Sequence, residues 1–312
     1  MSALAFTVLA ILLAGPVPAL LSRAAWPLRA PRAAIVLWQS IAAAAVLSAF
    51  SAGLAIAARL FVPGPDGRPT ADLGQQIATS LQTGLGWPLW LGSVIVLLLT
   101  LLIGARLVVT VLRSAVDLRR RRSRHRMMVD LLGDCPHEMD GVRVLHVTEP
   151  LAYCVPGVRS RVVLSRGTLT ALSEQELTAV LRHERAHLRA RHDLILEAFT
   201  AVHTAFPRFV RSGNALNAVG LLIELLADDA AVRVTGPRPL ARALVACAAG
   251  PTPAGAMAAG GPTTVVRVQR LAGAPNSLAL ALPAYLAAAA VLVIPTVAVA
   301  VPWLTELYRL FP

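Results

Sequence analysis

Lysine is absent from this chain of 312 residues: all 29 basic residues are arginine, set against 17 acidic ones, for a net charge of +12. A surplus of that size raises the question of nucleic-acid binding. The arginines, however, concentrate beside apolar stretches, as positive-inside membrane topology and an arginine-rich codon bias would produce, so no direct nucleic-acid binding is expected. Cysteine is scarce too. Cys135, Cys154 and Cys247 are odd in number and none forms a C-x-x-C pair. That excludes a disulfide framework and fits a reduced compartment for the part of the chain that carries them. Charge of either sign is sparse: 15% of residues are charged and 56% are hydrophobic, with a mean hydropathy of +0.65. An ordinary soluble domain is excluded, and several membrane spans are expected. The sequence shows no internal repeat or heptad array.

Four stretches stay apolar over the roughly 20 residues a helix needs to cross a bilayer. They lie at about 3–21, 33–58, 87–112 and 278–304. The first reads as a retained helix rather than a cleaved signal peptide. No basic residue precedes its apolar core, and Arg23, Arg29 and Arg32 follow it. Arginine-rich loops stay cytoplasmic, and the loops agree on one orientation. The turn after the first span carries those three arginines and no acid, whereas loop 63–85 mixes Asp66 and Asp72 with Arg68. The third span runs into "RSAVDLRRRRSRHR", and Arg267 and Arg270 stand before the fourth. The N-terminus is therefore expected outside. Three spans occupy residues 1–116, a cytosolic domain 117–250, and a linker rich in Gly, Pro and Ala 251–277. The fourth span and a short outer tail, 305–312, complete the chain. The arginine block is expected to meet anionic membrane lipids.

In the cytosolic stretch, "GVRVLHVTE" (141–149) and "RVVLSRG" (161–167) are β-branched runs bounded by Gly, Pro and Ser, and read as strands. "PLAYCVPGVRS" between them reads as a loop or edge strand. Its backbone around Ala152, Tyr153 and Cys154 is the expected place for a substrate peptide to add as a further strand. "LSEQELTAVLRHERAHLRAR" reads as a helix, opened by Ser173 as N-cap and Glu176 three residues on, a capping box.

That helix contains H-E-x-x-H. At about 100° per residue, His183 and His187 project within about 40° of each other, with Glu184 toward the same side. Two imidazoles one turn apart suit a divalent metal, and the carboxylate beside them can take a proton from water. Arg182, Arg185 and Arg189 project oppositely, as a ridge facing solvent or headgroups, and Arg191 reads as a frayed helix end.

Two places offer a third ligand. Asp193 lies six residues beyond His187, where the metzincin pattern has one, but that pattern turns at a glycine and this chain has Ala190. An unbroken helix is expected there, with His192 pointing away from His187. The other place is "LLIELLADDAAV", where Glu224 and Asp228 stand four apart in an apolar run. Such a pair is costly to bury unless it binds something. Glu224 as third ligand and Asp228 as acceptor from a ligand histidine satisfy both. The alternative leaves Glu224 exposed, with Asp228 and Asp229 facing water at a helix end.

At these residues the chain resembles the BlaR/MecR-type antirepressor membrane metallopeptidases, a gluzincin family. "LSEQELTAVLRHERAH" is similar to the family's motif helix, and "PLAYCVPGVRSRVVLSRGTLTAL" to the segment upstream of it. "AFPRFV" resembles its Trp-Phe-Asn-Pro element without the Trp and Asn, and "ELLADDAAV" its E-x-x-x-D helix without the frequent Cys before Asp. The span order is similar as well. The resemblance implies an α-helical integral membrane protein of the bacterial plasma membrane with four transmembrane helices. A cytosolic α+β gluzincin-type zinc-peptidase domain would be inserted between helices 3 and 4. It implies Zn2+ held by His183, His187 and Glu224, with Glu184 as the catalytic base and Asp228 behind the ligands. Relatives that sense β-lactams carry a penicillin-binding domain after the fourth span. Here eight residues follow Leu304, and S-x-x-K cannot occur without lysine. A form lacking that sensor is expected, with signals entering through the spans, the outer loop or a partner.

The expected function is a zinc-dependent endopeptidase in signal transduction, with a winged-helix repressor of the BlaI/MecI type as the substrate that the resemblance implies. Quality control of membrane proteins, as in HtpX-like proteases, is an alternative. A non-proteolytic transducer is another, although an intact Glu184 argues against it. A homo-oligomer is compatible with all three.

Overall fold

The computed structural model describes residues 2–57, 62–63, 69–70, 86–135, 139–157, 160–205, 213–248, 257–258, 263–273 and 276–310. Most of the expected outer loop 63–85, the "AFPRFV" element beyond Ala205, and 251–256 and 259–262 of the linker lie outside them.

Helices α1 (Ser2–Ala14) and α2 (Pro16–Arg23) form the first apolar segment. They are separated at Gly15, where Pro16 lacks the N–H that would continue the helix. Helix α3 (Pro31–Ala57) follows, then a two-residue antiparallel pair, β1 (Val62–Pro63) with β2 (Pro69–Thr70), and helix α4 (Gly86–Leu132). Among the described residues four segments are long and apolar enough to cross a membrane: Ala3–Arg23, Pro31–Ala57, Trp90–Leu132 and Leu278–Ala298.

Helix α3 is the axis of the apolar bundle. Leu37, Ile41 and Ala44 bury against Leu13 of α1 and against Ala288 of α11 (Leu278–Leu310). A Cβ on Gly53 would strike the Thr100 side chain, and one on Gly104 would strike Phe50. Small residues thus let α3 and α4 approach closely, which is how helices pack where lipid removes the hydrophobic drive. Leu98, Leu101 and Leu102 of α4 face outward, as lipid contact requires.

Helix α4 differs from its expected end near residue 112. It carries the whole arginine block and continues unbroken to Leu132, because no Gly or Pro interrupts residues 105–132. Gly133 closes it with an N–H bond to the Val129 carbonyl.

The remaining chain forms a small mixed sheet and helices around it. The strands are β3 (Val142–Leu145), β4 (Ala152–Val155), β5 (Arg161–Ser165) and β6 (Met257–Ala258), in the order β3-β5-β4-β6. β3 runs parallel to β5, while β4 is antiparallel to both neighbours. The helices are α5 (Arg166–Ala171), α6 (Glu174–Ala190), α7 (His192–Ala205), α8 (Gly213–Thr235), α9 (Pro237–Cys247) and α10 (Thr264–Leu271). Alternate strand residues face opposite sides. Val142, Ala152, Val162 and Leu164 pack under Val180 of α6 and Ala243 and Cys247 of α9. On the other side Tyr153, Val155 and Val163 pack against Val129 of α4.

The two expected strands form where the β-branched runs lie. The expectation of an open edge at Ala152–Cys154 needs correction. Tyr153 pairs with Ala258 and Cys154 with Met257, so part of the linker already covers that edge, and residues 152–154 are all buried. The linker also contains α10, a helix that its Gly- and Pro-rich neighbours conceal in the sequence.

The turn entering β4 is fixed by the start of α5. The Leu151 N–H donates to the hydroxyls of Ser165 and Thr168, at 2.9 and 2.7 Å. Gly167 sits so close beneath this turn that a Cβ would collide with the Thr148 carbonyl. Gly167→Ala is therefore expected to cost about 1–3 kcal/mol of stability, read as a lowered unfolding temperature in detergent. Gly220→Ala on α8, where a Cβ meets nothing within 4 Å, should be neutral or stabilising in the same assay, since alanine favours helix.

Candidate metal centre

Two helices build the centre. Helix α6 begins with the expected capping box: the Ser173 N–H donates to Glu176 Oε2 at 2.9 Å, and the Glu176 N–H to Ser173 Oγ at 3.5 Å. Its inner face presents His183, Glu184 and His187, all buried. Helix α8 lies against it, buried on its other side by α3: Ala34, Ile35 and Trp38 meet Val219, Leu222 and Ile223. That seating aims Glu224 and Asp228 at the two histidines.

The distances define a compact donor set. His183 Nε2 and His187 Nε2 are 3.1 Å apart. Glu224 reaches both, at 3.4 Å to His183 and 3.5 Å to His187. Ligand atoms of the three residues all lie within 4.8 Å of one another. Behind them, Asp228 Oδ1 is 3.0 Å from His183 Nδ1, leaving Nε2 to face the cluster.

Helix α6 ends differently from its expected continuation. Arg191 adopts a left-handed φ of 52°, which stops α6 at Ala190 and lets α7 start at His192 without any glycine. His192 is thereby swung inward and buried, its Nδ1 3.0 Å from Nδ1 of His187. One of these nitrogens carries the hydrogen and the other accepts it, so His187 also has an orienting partner. Asp193 does not join the donor set. It accepts from Arg122 of α4 at 2.9 Å, and Arg122 also pairs with Glu197 at 2.7 Å.

Arg267 was legible only as a topology marker. The structure buries it at 1% exposure and brings it from α10 into the centre. Its Nε and Nη2 donate to the two oxygens of Asp228 at 2.9 and 2.6 Å, and Nη1 lies 2.9 Å from Glu224 Oε2.

Burial dominates the electrostatics. It raises the Glu184 carboxyl to about 7, helped by the Glu224 charge and opposed by His183. Both Glu184 oxygens are buried without a hydrogen-bond donor in normal geometry. Burial lowers His187 to about 3 and His192 to about 4, keeping both rings neutral. Burial works against charge on His183 too, but the Asp228 and Glu224 carboxylates outweigh it and hold the ring near 9. For Glu224 burial is overcome by His187, His183 and Arg267, which bring it to about 2. The Cys154 thiol, buried on β4 near Glu184, is pushed far up by burial and stays protonated.

These residues fit a divalent metal ion. Two imidazole nitrogens and a carboxylate oxygen are the donor set of open, three-ligand zinc sites. Three carboxylates (Glu184, Glu224 and Asp228) gather around one guanidinium and the His183 ring, and a cation bound at Nε2 would take the place of the positive charge that Asp228 and Glu224 hold on that ring.

A family model described as BlaR1 peptidase M56 matches residues 10–207. The chain belongs to that family. It is a membrane metallopeptidase family, and the match takes in α3, α4, the sheet strands up to β5 and the H-E-x-x-H helix. It ends before α8, so Glu224 and Asp228 rest on the geometry alone. No curated protein and no solved structure matches the chain.

Since His192 lies against His187, His192→Phe, which keeps a ring but removes the nitrogen, is expected to lower affinity for a divalent metal roughly 10- to 100-fold. Competition against a chromogenic chelator measures this; wild-type affinity would show that His187 needs no partner.

Proposed function

We propose that the chain is a zinc-dependent endopeptidase of the bacterial plasma membrane, with its N-terminus outside and its peptidase domain in the cytosol. The observation that carries the reading is the His183–His187–Glu224 donor set with an unpaired, buried Glu184 beside it. Zinc held by those three residues would act as a Lewis acid on a scissile carbonyl and make water easier to deprotonate. Glu184 takes the proton from the attacking water and later delivers it to the leaving amine. A carboxyl raised toward 7 is well matched to both tasks near neutral pH. Asp228 and His192 hold the two imidazoles in the orientation that keeps Nε2 toward the reacting groups. A substrate strand adding to β4 has to displace Met257–Ala258 from its edge, which sets a barrier to casual proteolysis.

Membership of the family supports a role in signalling and makes a winged-helix repressor of the BlaI/MecI type the preferred substrate. The four apolar segments support a four-span arrangement with lipid as the surrounding partner. The arginines on the cytosolic side of that scheme, Arg23, Arg29, Arg32 and the α4 block, support the orientation.

Glu184→Gln is the direct test. It should reduce cleavage by roughly 10²–10⁴-fold while zinc content stays at the wild-type level. Fragment mass spectrometry of cells expressing each protein should show one repressor cut only by wild type. Unrelated membrane proteins accumulating instead would point to quality control, and identical fragments in both strains would remove the peptidase reading.

A further inference from the structure

Arg267 plays no part in the proton transfers above, yet arginine is seldom so fully buried. It enters from α10, outside both the H-E-x-x-H helix and the helix of Glu224. Its fork reaches two carboxylates, with two nitrogens on Asp228 at 2.9 and 2.6 Å and the third 2.9 Å from Glu224 Oε2, and Nη2 also lies 3.5 Å from His183 Nε2. Glu224 is thereby made asymmetric. Oε2 is ion-paired with the guanidinium and lies 3.4 Å from His183 Nε2, while Oε1, without a guanidinium contact, faces His187 Nε2 at 3.5 Å. A free carboxylate can bind a metal through one oxygen or two; with one oxygen held by a guanidinium, it offers the other. Arginine suits this task because its planar fork stays charged and engages two acids at once, which a lysine ammonium on a flexible stem does less well.

We infer that Arg267 is a positioning residue that pins Glu224 as a one-oxygen metal ligand and Asp228 against His183, which leaves a coordination position for water or substrate. This rests on the metal-centre reading and adds a residue that lies outside its two sequence motifs.

The test uses the full-length protein in detergent, titrated with Co2+ in place of zinc. Wild type is compared with Glu224→Gln, Arg267→Gln and Arg267→Lys. Visible cobalt bands are intense in four-coordinate sites and weaken when coordination expands, so they report geometry independently of activity. Arg267→Gln is expected to bind cobalt roughly 10- to 100-fold more weakly, with weakened bands because both Glu224 oxygens are released. Arg267→Lys should recover part of the affinity. Wild-type affinity and bands in Arg267→Gln overturn the inference, and so does weaker binding with unchanged bands, which reports looser packing only. If Arg267→Gln fails to fold, Arg267→Lys decides: wild-type affinity and bands there overturn it, and partial loss with weakened bands supports it. Wild-type cobalt affinity in Glu224→Gln would instead sink the metal-centre reading, and the inference with it.

Discussion

Three carboxylates converge between two helices, and the structure around them is arranged to make that tolerable. Glu184 and Asp228 are fully buried and the Glu224 side chain is 16% exposed. Unpaired, such groups cost several kcal/mol each. Asp228 is held by the Arg267 fork and by His183, and Glu224 by Arg267 and both histidines. Neither Glu184 oxygen has a hydrogen-bond donor in normal geometry. A carboxylate in that position is poised to take up a proton, as the proposed chemistry needs.

The centre is tied at several points to the apolar helices. Helix α4 carries Arg122 to Asp193 and Glu197 just past the H-E-x-x-H helix, and His125 to the Tyr153 hydroxyl at 3.1 Å. The start of α3 buries Trp38 against the face of α8 that lies away from the centre. Helix α10 carries Arg267 into the centre, and its Arg270 donates to the Leu28 carbonyl at 2.6 Å while pairing with Asp229 at 2.8 Å. Ser277, next to α11, donates to the Arg29 carbonyl at 2.8 Å. The peptidase region is thus built partly from extensions of membrane-type helices, and the boundary near residue 116 suggested by composition corresponds to no break in the backbone.

Much of the centre was legible because it is written locally. The spacing of His183, Glu184 and His187 fixes their common face on any helix, and Ser173 with Glu176 marks where that helix starts. Glu224 and Asp228 stood out because acids in an apolar run demand a reason. The inward turn of His192 was hidden, since a left-handed residue usually announces itself as glycine and here it is Arg191. The pairing of Met257–Ala258 with β4 was hidden as well, because two residues in a run of Gly, Pro and Ala carry no strand periodicity. Arg267 looked like one more arginine before a span.

By itself the sequence determined the apolar segments, the two strands, the helix face that carries His183, Glu184 and His187, and the acid pair on another helix. Each of these follows from periodicity or composition within a single element. Which atoms meet was decided only by the tertiary structure. Arg267 is 39 residues from Asp228, and no local rule links a short helix before the last apolar segment to an acid that far upstream. Neutralising buried charge is a requirement of the assembled interior, and its partners are chosen when distant elements close around it.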